Sequence, residues 1–160
     1  MTEIMTSEIK ITKVTQSRVS EVNLENITMG TNFTDHMFIC DYENGEWQNP
    51  RIEPLALIPT HPAAMALHYG QAIFEGMKAY KDDQDGVWLF RPDENYHRFN
   101  KSAVRMAMPE VPEDIFIEGL KTIVELDKDW IKKGIGNTLY IRPFMIATGH
   151  GVIASPSNEY

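Results

Sequence analysis

The sequence of 160 residues has little of several features that define familiar protein classes. It contains a single cysteine, Cys40, which excludes an internal disulfide and any metal site built from several thiolates. No apolar run approaches the roughly 18 residues needed to span a bilayer. The first residues also lack the basic and apolar regions of a secretory signal. We therefore predict a cytoplasmic protein without a membrane partner.

Positive charge is also scarce. Aspartate and glutamate number 23 against 15 lysines and arginines, which gives a formal net charge of -8. This balance disfavours binding to nucleic acid through neutralisation of phosphates. The five histidines do not have the spacing of metal ligands, and the motifs GxGxxG, P-loop and GxSxG are absent. The sequence therefore predicts neither a nucleic-acid partner nor a metal site.

Apolar spacing and turn signals predict an α+β fold, in which an antiparallel, hairpin-rich sheet is flanked by two or more helices. Asn44-Gly45 is a strong hairpin signal, and Pro143 is expected to interrupt the last strand. A helix is predicted to start at an Asp93 N-cap, and a second one to stop at Gly134. Strands are predicted over residues 33–42, 52–58, 72–81, 87–90 and 138–146.

The stretch LHYGQAIFEGMKAYK, from Leu67 to Lys81, is unusual for a core strand because it contains Gly76. Glycine is depleted in strand interiors, since it packs nothing and loses much entropy on folding. Where it occurs, it often marks a bulge or a close approach by a ligand or another backbone segment. We expect one of these features at Gly76.

Three side chains are candidates for anion binding. Arg98 lies within two turns of a predicted helix start, where a guanidinium and the positive helix end could hold a phosphate or carboxylate. Tyr140 and Arg142 are two residues apart on a strand and therefore share a face. That pair fits a polar anion pocket or a sheet edge in water equally well. Lys101 and Arg105 are interpreted as a solvated helix face.

Six motifs occur in a characteristic order: GTNFTDHMF, LHYGQAIFEGMKAYK, WLFRPDENYHRF, KSAVRMAMP, VELDKDW and LYIRPFMIAT. Together they resemble the N-terminal half of branched-chain amino acid aminotransferases, which are pyridoxal phosphate enzymes of the type IV fold. The resemblance runs roughly from Gly30 to Ala154. FEGMKAY with LFRP favours these enzymes over D-amino acid aminotransferases and aminodeoxychorismate lyases, which share the fold and form the alternative within it.

The resemblance implies transfer of the amino group of leucine, isoleucine or valine to 2-oxoglutarate, with pyridoxal phosphate as cofactor. It implies that Arg98 binds the cofactor phosphate, and that Tyr140 and Arg142 help to place the substrate carboxylate. The loop from Gly151 is similar to an interdomain loop that reaches the neighbouring subunit's site. The further substrate-side positions that the resemblance implies are Tyr69, Phe74, Met29 and Ala154.

The resemblance also implies domain boundaries. Residues 1–28 are expected to form a partly ordered N-terminal extension, 29–150 a small N-terminal domain, and 151–160 the start of an interdomain loop. Lys78 and Lys81 do not match the family's Schiff-base lysine, so we expect no catalytic residue in this chain. The chain is interpreted as part of a homodimeric enzyme and as inactive alone. A non-catalytic module for anion binding or dimerisation is the alternative from a different class.

Overall fold

A computed structural model describes residues 8–160 of the chain. The strands are β1 (Lys10–Ile11), β2 (His36–Glu43), β3 (Glu46–Pro54), β4 (Ala72–Phe74), β5 (Met77–Lys81), β6 (Val87–Leu89), β7 (Leu139–Ile141) and β8 (Phe144–Ile146). The helices are α1 (Met65–Tyr69), α2 (Pro92–Arg105) and α3 (Glu113–Leu126), with short 3-10 helices at Val19–Glu21 and Lys128–Trp130. The first seven residues of the predicted N-terminal extension lie outside the described part.

The strands form three small sheets, with the orders β1–β3–β2, β4–β8 and β6–β5–β7. Every pairing is antiparallel except that of β1 with β3. The predicted α+β class with antiparallel hairpins and flanking helices is confirmed, although the strands divide among three sheets. None of the helices in residues 8–160 is long and apolar enough to cross a membrane.

The hairpin of β2 and β3 turns at Asn44 and Gly45, as the sequence predicts. Their φ angles are 55° and 85°, which is the positive region that a two-residue hairpin of type I′ requires at both positions. The register shifts between Ile39 and Asp41, where a β-bulge bends the strand. The turn depends only on neighbouring residues, and this is why a short motif suffices to predict it.

The strands predicted over 72–81 and 138–146 pair with each other, and each is interrupted once. Their two halves, β4 with β8 and β5 with β7, share one register. At the interruption the Glu75 amide donates to the Pro143 carbonyl over 2.8 Å. Pro143 has no amide to return that bond. The two strands therefore form a single ribbon, which is interrupted at one matched point.

Side chains alternate between the two faces of this ribbon without a shift at the interruption. Ile73, Glu75 and Met77 are buried, whereas Phe74 and Lys78 are exposed. The buried face packs towards the helices, and α2 lies against β4. One acidic residue, Glu75, therefore points to the side on which the helices and the core lie.

The helices α2 and α3 close the core over the sheets. The rings of Phe99 on α2 and Phe116 on α3 lie 5.5 Å apart between centroids. Gly119 on α3 is buried and lies under the ring of Phe38 on β2, where a Cβ atom would come within 2.6 Å of that ring. The buried apolar cluster also includes Met65, Ile73, Met77, Ala79, Ala103, Met108, Val111, Leu120, Val124, Ile131, Met145, Ala147 and Tyr160.

Three predicted boundaries are wrong. Asp93 is not an N-cap, because α2 already begins at Pro92 after Arg91, which has a left-handed φ of 49° and makes no side-chain cap. A proline at the first helical position needs no amide partner and has its φ preset, so it can start the helix in place of a polar cap. The second strand of the sequence prediction, 52–58, ends at Pro54, and Leu57 beyond it is 95% exposed.

The helix predicted to continue towards Gly134 ends at Leu126. The next residue, Asp127, accepts a hydrogen bond from the His36 amide (3.1 Å) and contacts the Nδ1 atom of the same residue (2.6 Å). Both side chains are buried. This long-range pairing accompanies the end of the helix, and apolar spacing along the sequence cannot reveal it.

Candidate functional site

Three of the predicted site residues form one contact group on the exposed face of the ribbon. The Cζ atom of Arg142 lies 4.4 Å above the ring centroid of Phe74 and 5.3 Å from that of Tyr140. Its Nη2 atom donates a hydrogen bond to the Tyr140 hydroxyl at 2.8 Å. A cation held over aromatic faces in this way is attracted by their quadrupoles. The arrangement fixes a guanidinium at the surface with two aromatic walls.

Gly76 explains how this group fits on the ribbon. Tyr140 lies diagonally across from it, and a Cβ atom at position 76 would overlap the Tyr140 hydroxyl and lie 3.1 Å from its Cζ. The absence of a side chain therefore lets the tyrosine ring lie flat over the backbone. The close approach that a glycine within a strand predicts is the approach of Tyr140.

Arg98 reaches the same segment from the helix side of the ribbon. Its Nε atom donates to the two Glu75 carboxylate oxygens at 2.9 and 3.1 Å, and its Nη2 atom donates to Oε1 at 2.7 Å. Asn95, one helical turn earlier, donates to Oε2 at 3.0 Å. The Gly76 amide donates to Oε1 at 3.1 Å. The Glu75 carboxylate is thus held by one charged and two neutral donors.

These donors keep Glu75 ionised. Burial alone would raise the pKa of the carboxyl, but the hydrogen bonds from Arg98, Asn95 and Gly76 outweigh it and leave the pKa below its ordinary value. The same pair raises the pKa of Arg98, through the hydrogen bond first and the charge of Glu75 second. A permanent ion pair therefore joins α2 to the interruption in the ribbon.

Both arginines leave part of the guanidinium open to an anion. The Arg98 side chain is 65% exposed, and within residues 8–160 its Nη1 atom has no hydrogen-bond partner. Arg142 is exposed and forms no salt bridge with any carboxylate of the described chain. A guanidinium edge matches the geometry of a phosphate or carboxylate. The residues present therefore fit a ligand that carries such groups.

The other predicted substrate-side residues stand apart from this group. Tyr69 ends α1 and is 41% exposed, and its ring lies 6.3 Å from that of His68. Met29 is 73% exposed in a turn, and Ala154 is exposed in a bend near the end of the chain. No hydrogen bond or ring contact in the described structure links them to Phe74, Tyr140 or Arg142. Their roles stay predictions.

Glu75 is the site residue that sequence reasoning missed. Strict alternation along the strand puts its carboxylate on the same face as Ile73 and Met77, both of which are buried. A buried carboxylate requires a partner. That pattern was visible in the sequence and pointed to a nearby cation. The structure also gives no group of three or more His, Cys, Asp or Glu side chains able to hold a metal ion among residues 8–160.

Curated relatives match most of the chain. Branched-chain-amino-acid transaminase 1 of Bacillus subtilis (strain 168) is 49% identical over 132 residues, which cover 82% of this chain and 37% of the relative. Branched-chain-amino-acid aminotransferase 2 of the same organism is 42% identical over 157 residues, covering 98% of this chain and 43% of the relative. The chain thus spans about two fifths of their length. No protein-family model matches the sequence.

Solved structures agree with these relatives. A branched-chain amino acid aminotransferase from T.th. is 30% identical, with a TM-score of 0.50 over 75% of this chain and 38% of that one. Its structure with pyridoxamine 5'-phosphate is 29% identical, with a TM-score of 0.50 over 77% of this chain and 38% of that one. The Escherichia coli enzyme, at 24% identity and a TM-score of 0.53 over 77% of this chain and 39% of that one, supports the fold alone.

The fold is therefore that of one part of a type IV aminotransferase, a class of pyridoxal phosphate enzymes. Within this class, the identity to curated relatives over nearly the whole chain is decisive. The chain belongs to the branched-chain amino acid aminotransferase family, of which it spans a part. Its match to the motifs around LHYGQAIFEGMKAYK and LYIRPFMIAT, expected from the sequence, is confirmed at the level of the family.

Proposed function

We propose that this chain supplies the small N-terminal domain of a pyridoxal phosphate-dependent transaminase. The whole enzyme would move the amino group of leucine, isoleucine or valine to 2-oxoglutarate, as a cytoplasmic homodimer. The observation that carries the proposal is that two exposed guanidinium groups are anchored on one short segment, Phe74–Gly76, and each has an open edge. A phosphorylated cofactor and a carboxylate substrate need two such cations.

Arg98 is the proposed ligand of the cofactor phosphate. Its open Nη1 edge can donate to phosphate oxygens, while Glu75 keeps the rest of the guanidinium fixed. The relative that was solved with pyridoxamine 5'-phosphate supports a ligand of this chemistry. When bound, the cofactor acts as an electron sink for the carbanion at the substrate Cα.

Arg142 and Tyr140 are proposed to place the substrate carboxylate. The hydrogen bond between them orients the phenol and the guanidinium towards the same exposed space. Phe74 is proposed to line the pocket for the branched side chain, since its exposed ring stacks under Arg142. Tyr69, Met29 and Ala154 are proposed as further pocket positions, completed by parts of the enzyme that lie outside this chain.

The proposed division assigns residues 1–28 to an N-terminal extension, 29–150 to the domain and 151–160 to the start of an interdomain loop. The lysine that holds the cofactor covalently would come from outside this chain. We therefore expect the chain to catalyse no transamination. Borohydride reduction in the presence of pyridoxal phosphate should label no single lysine selectively. Selective labelling of one lysine, such as Lys78, would contradict this assignment.

Titration with pyridoxamine phosphate tests the role of Arg98 directly. This ligand is fluorescent and cannot attack lysines, so its anisotropy reports non-covalent binding, and pyridoxamine without the phosphate is the ligand control. We expect the chain to prefer the phosphorylated ligand and Arg98→Ala to abolish that preference. Arg105→Ala, on the same helix and exposed, is the matched control and should keep it.

Each alternative result is informative. Retention of the preference in Arg98→Ala would exclude this arginine as the phosphate ligand. A wild-type chain that binds both ligands equally would contradict a phosphate site on this domain. Loss of the preference in Arg105→Ala as well would point to non-specific attraction by the basic helix face rather than to a site.

A further inference from the structure

Glu75 forms an unusually complete contact for an acidic residue within a strand. Its side chain is 7% exposed, and its two oxygens accept bonds from Arg98, Asn95 and the Gly76 amide. Neighbours on the same face of the strand, Ile73 and Met77, are apolar and buried. An apolar residue would suit this position for packing alone, because a buried carboxylate must recover a large desolvation cost. The carboxylate calls for an explanation beyond packing.

The explanation lies in what the carboxylate does to Arg98. An exposed arginine side chain ordinarily samples many rotamers, and binding a ligand must then freeze them at a cost in entropy. Here Nε and Nη2 are both bound to one carboxylate, so the plane of the guanidinium is fixed before any ligand arrives. The edge that includes Nη1 is the one left to face solvent.

The anchor itself is rigid. Asn95 donates to Glu75 Oε2 at 3.0 Å and lies 3.4 Å from the Gly76 carbonyl, so α2 and the ribbon are joined by more than the ion pair. Gly76 in turn lies under the Tyr140 ring. Glu75 therefore links the arginine on α2 with the backbone on which the aromatic group rests.

We propose that Glu75 is the positioning residue of Arg98. It holds the Nε and Nη2 side of the guanidinium so that the opposite edge is presented, already oriented, to the phosphate of a phosphate monoester. The phosphate part of this proposal rests on the function proposed above, whereas the holding of Arg98 by Glu75 does not.

Arginine side-chain NMR tests the holding without any ligand. In a ¹⁵N-labelled wild-type chain, the Arg98 Nε–H signal, identified by its loss in Arg98→Lys, should exchange slowly with water because it is bound to a buried carboxylate. Glu75→Gln keeps the shape but removes the charge, and it should accelerate that exchange. Glu94→Gln, on the first turn of the same helix and paired with Arg91, is the matched control and should leave it unchanged.

Ligand titration tests the consequence. Glu75→Gln should raise the Kd for pyridoxamine phosphate by about tenfold or more, the range seen when a residue that orients a ligand-binding group is removed, and should leave binding of pyridoxamine unchanged. Glu75→Asp restores the charge but withdraws the carboxylate by one methylene. It should recover at most part of the affinity, which a general effect of charge on phosphate would not explain.

The outcomes separate this proposal from the proposed function. A rapidly exchanging Arg98 Nε–H in the wild-type chain overturns the positioning role, even if every variant fails to fold. Unchanged pyridoxamine phosphate affinity in a folded Glu75→Gln overturns it too. If the wild-type chain shows no preference for the phosphorylated ligand, the function proposed for Arg98 fails, and the exchange of Nε–H in Glu75→Gln still decides whether Glu75 holds Arg98.

Discussion

Replacement of Gly119 by alanine should destabilise this protein, although the same change usually stabilises a helix. Alanine in a helix interior is favoured over glycine by about 1 kcal/mol. At Gly119, however, the new Cβ would lie 2.6, 2.8 and 2.9 Å from three ring atoms of Phe38. Overpacking of this kind costs about 1–3 kcal/mol. The two effects leave a net loss of about 0–2 kcal/mol in the free energy of unfolding.

Urea denaturation followed by tryptophan fluorescence measures this difference. With a slope of about 1–3 kcal/mol per molar urea, the transition of Gly119→Ala should fall by up to about 1 M. The decisive control is the same substitution in a Phe38→Leu background, which lacks the ring atoms that the new Cβ meets. There the sign should reverse, and Gly119→Ala should raise the midpoint.

A double-mutant cycle over the four proteins then gives the coupling between positions 38 and 119. Contacting residues couple by about 0.5–3 kcal/mol. An additive cycle would refute the reasoning, as would a higher midpoint for Gly119→Ala in the wild-type background. Either result would mean that the ring of Phe38 does not rest on the helix backbone at Gly119.

Two further predictions concern the site and the single thiol. Gly76→Ala should change the urea midpoint little, because the end of the Tyr140 side chain can swing aside, but it should shift the Tyr140 ring resonances in NMR spectra; unshifted ring signals would contradict the close approach. Burial, followed by the charge of Asp41, raises the pKa of Cys40 from 9.0 to about 11. Iodoacetamide at pH 8 should therefore alkylate the folded chain about 100-fold more slowly than the urea-unfolded chain, because less thiolate is present. The folded rate should keep rising until the pH approaches 11, and a plateau near pH 9 would be inconsistent with the buried thiol.

Features set by neighbouring residues could be predicted from the sequence, and those set by distant partners could not. Asn44 and Gly45 define their turn by local backbone preference alone. Tyr140 and Arg142 share a face because side chains alternate along any strand. By contrast, Asp127 lies beyond the end of its helix and pairs with His36, which is 91 residues away in the chain. No periodicity within a single segment carries that information.

The candidate site divides along the same line. The family resemblance identified Arg98, Phe74 and the strand pair as site residues, and the structure adds their contacts with one another. It did not identify Glu75, whose partner Arg98 lies 23 residues later on another element. Only the combination of strand alternation with the cost of a buried charge could have indicated that partner in advance. The positions of Tyr69 and Met29 depend on surfaces outside this chain.

The interrupted ribbon also sets a strict limit on length. Its two halves share one register across the interruption, and alternate residues face the core from Ile73 to Ala79. Loss of a single residue between Phe74 and Met77 would reverse every later side chain, so that Lys78 would turn inward and Met77 outward. Chains of this family should therefore tolerate substitution within the segment far better than insertion or deletion. In a library of single-codon deletions, positions 75 and 76 should be among the first to be lost, whereas deletions in the exposed loop around Leu57 should survive.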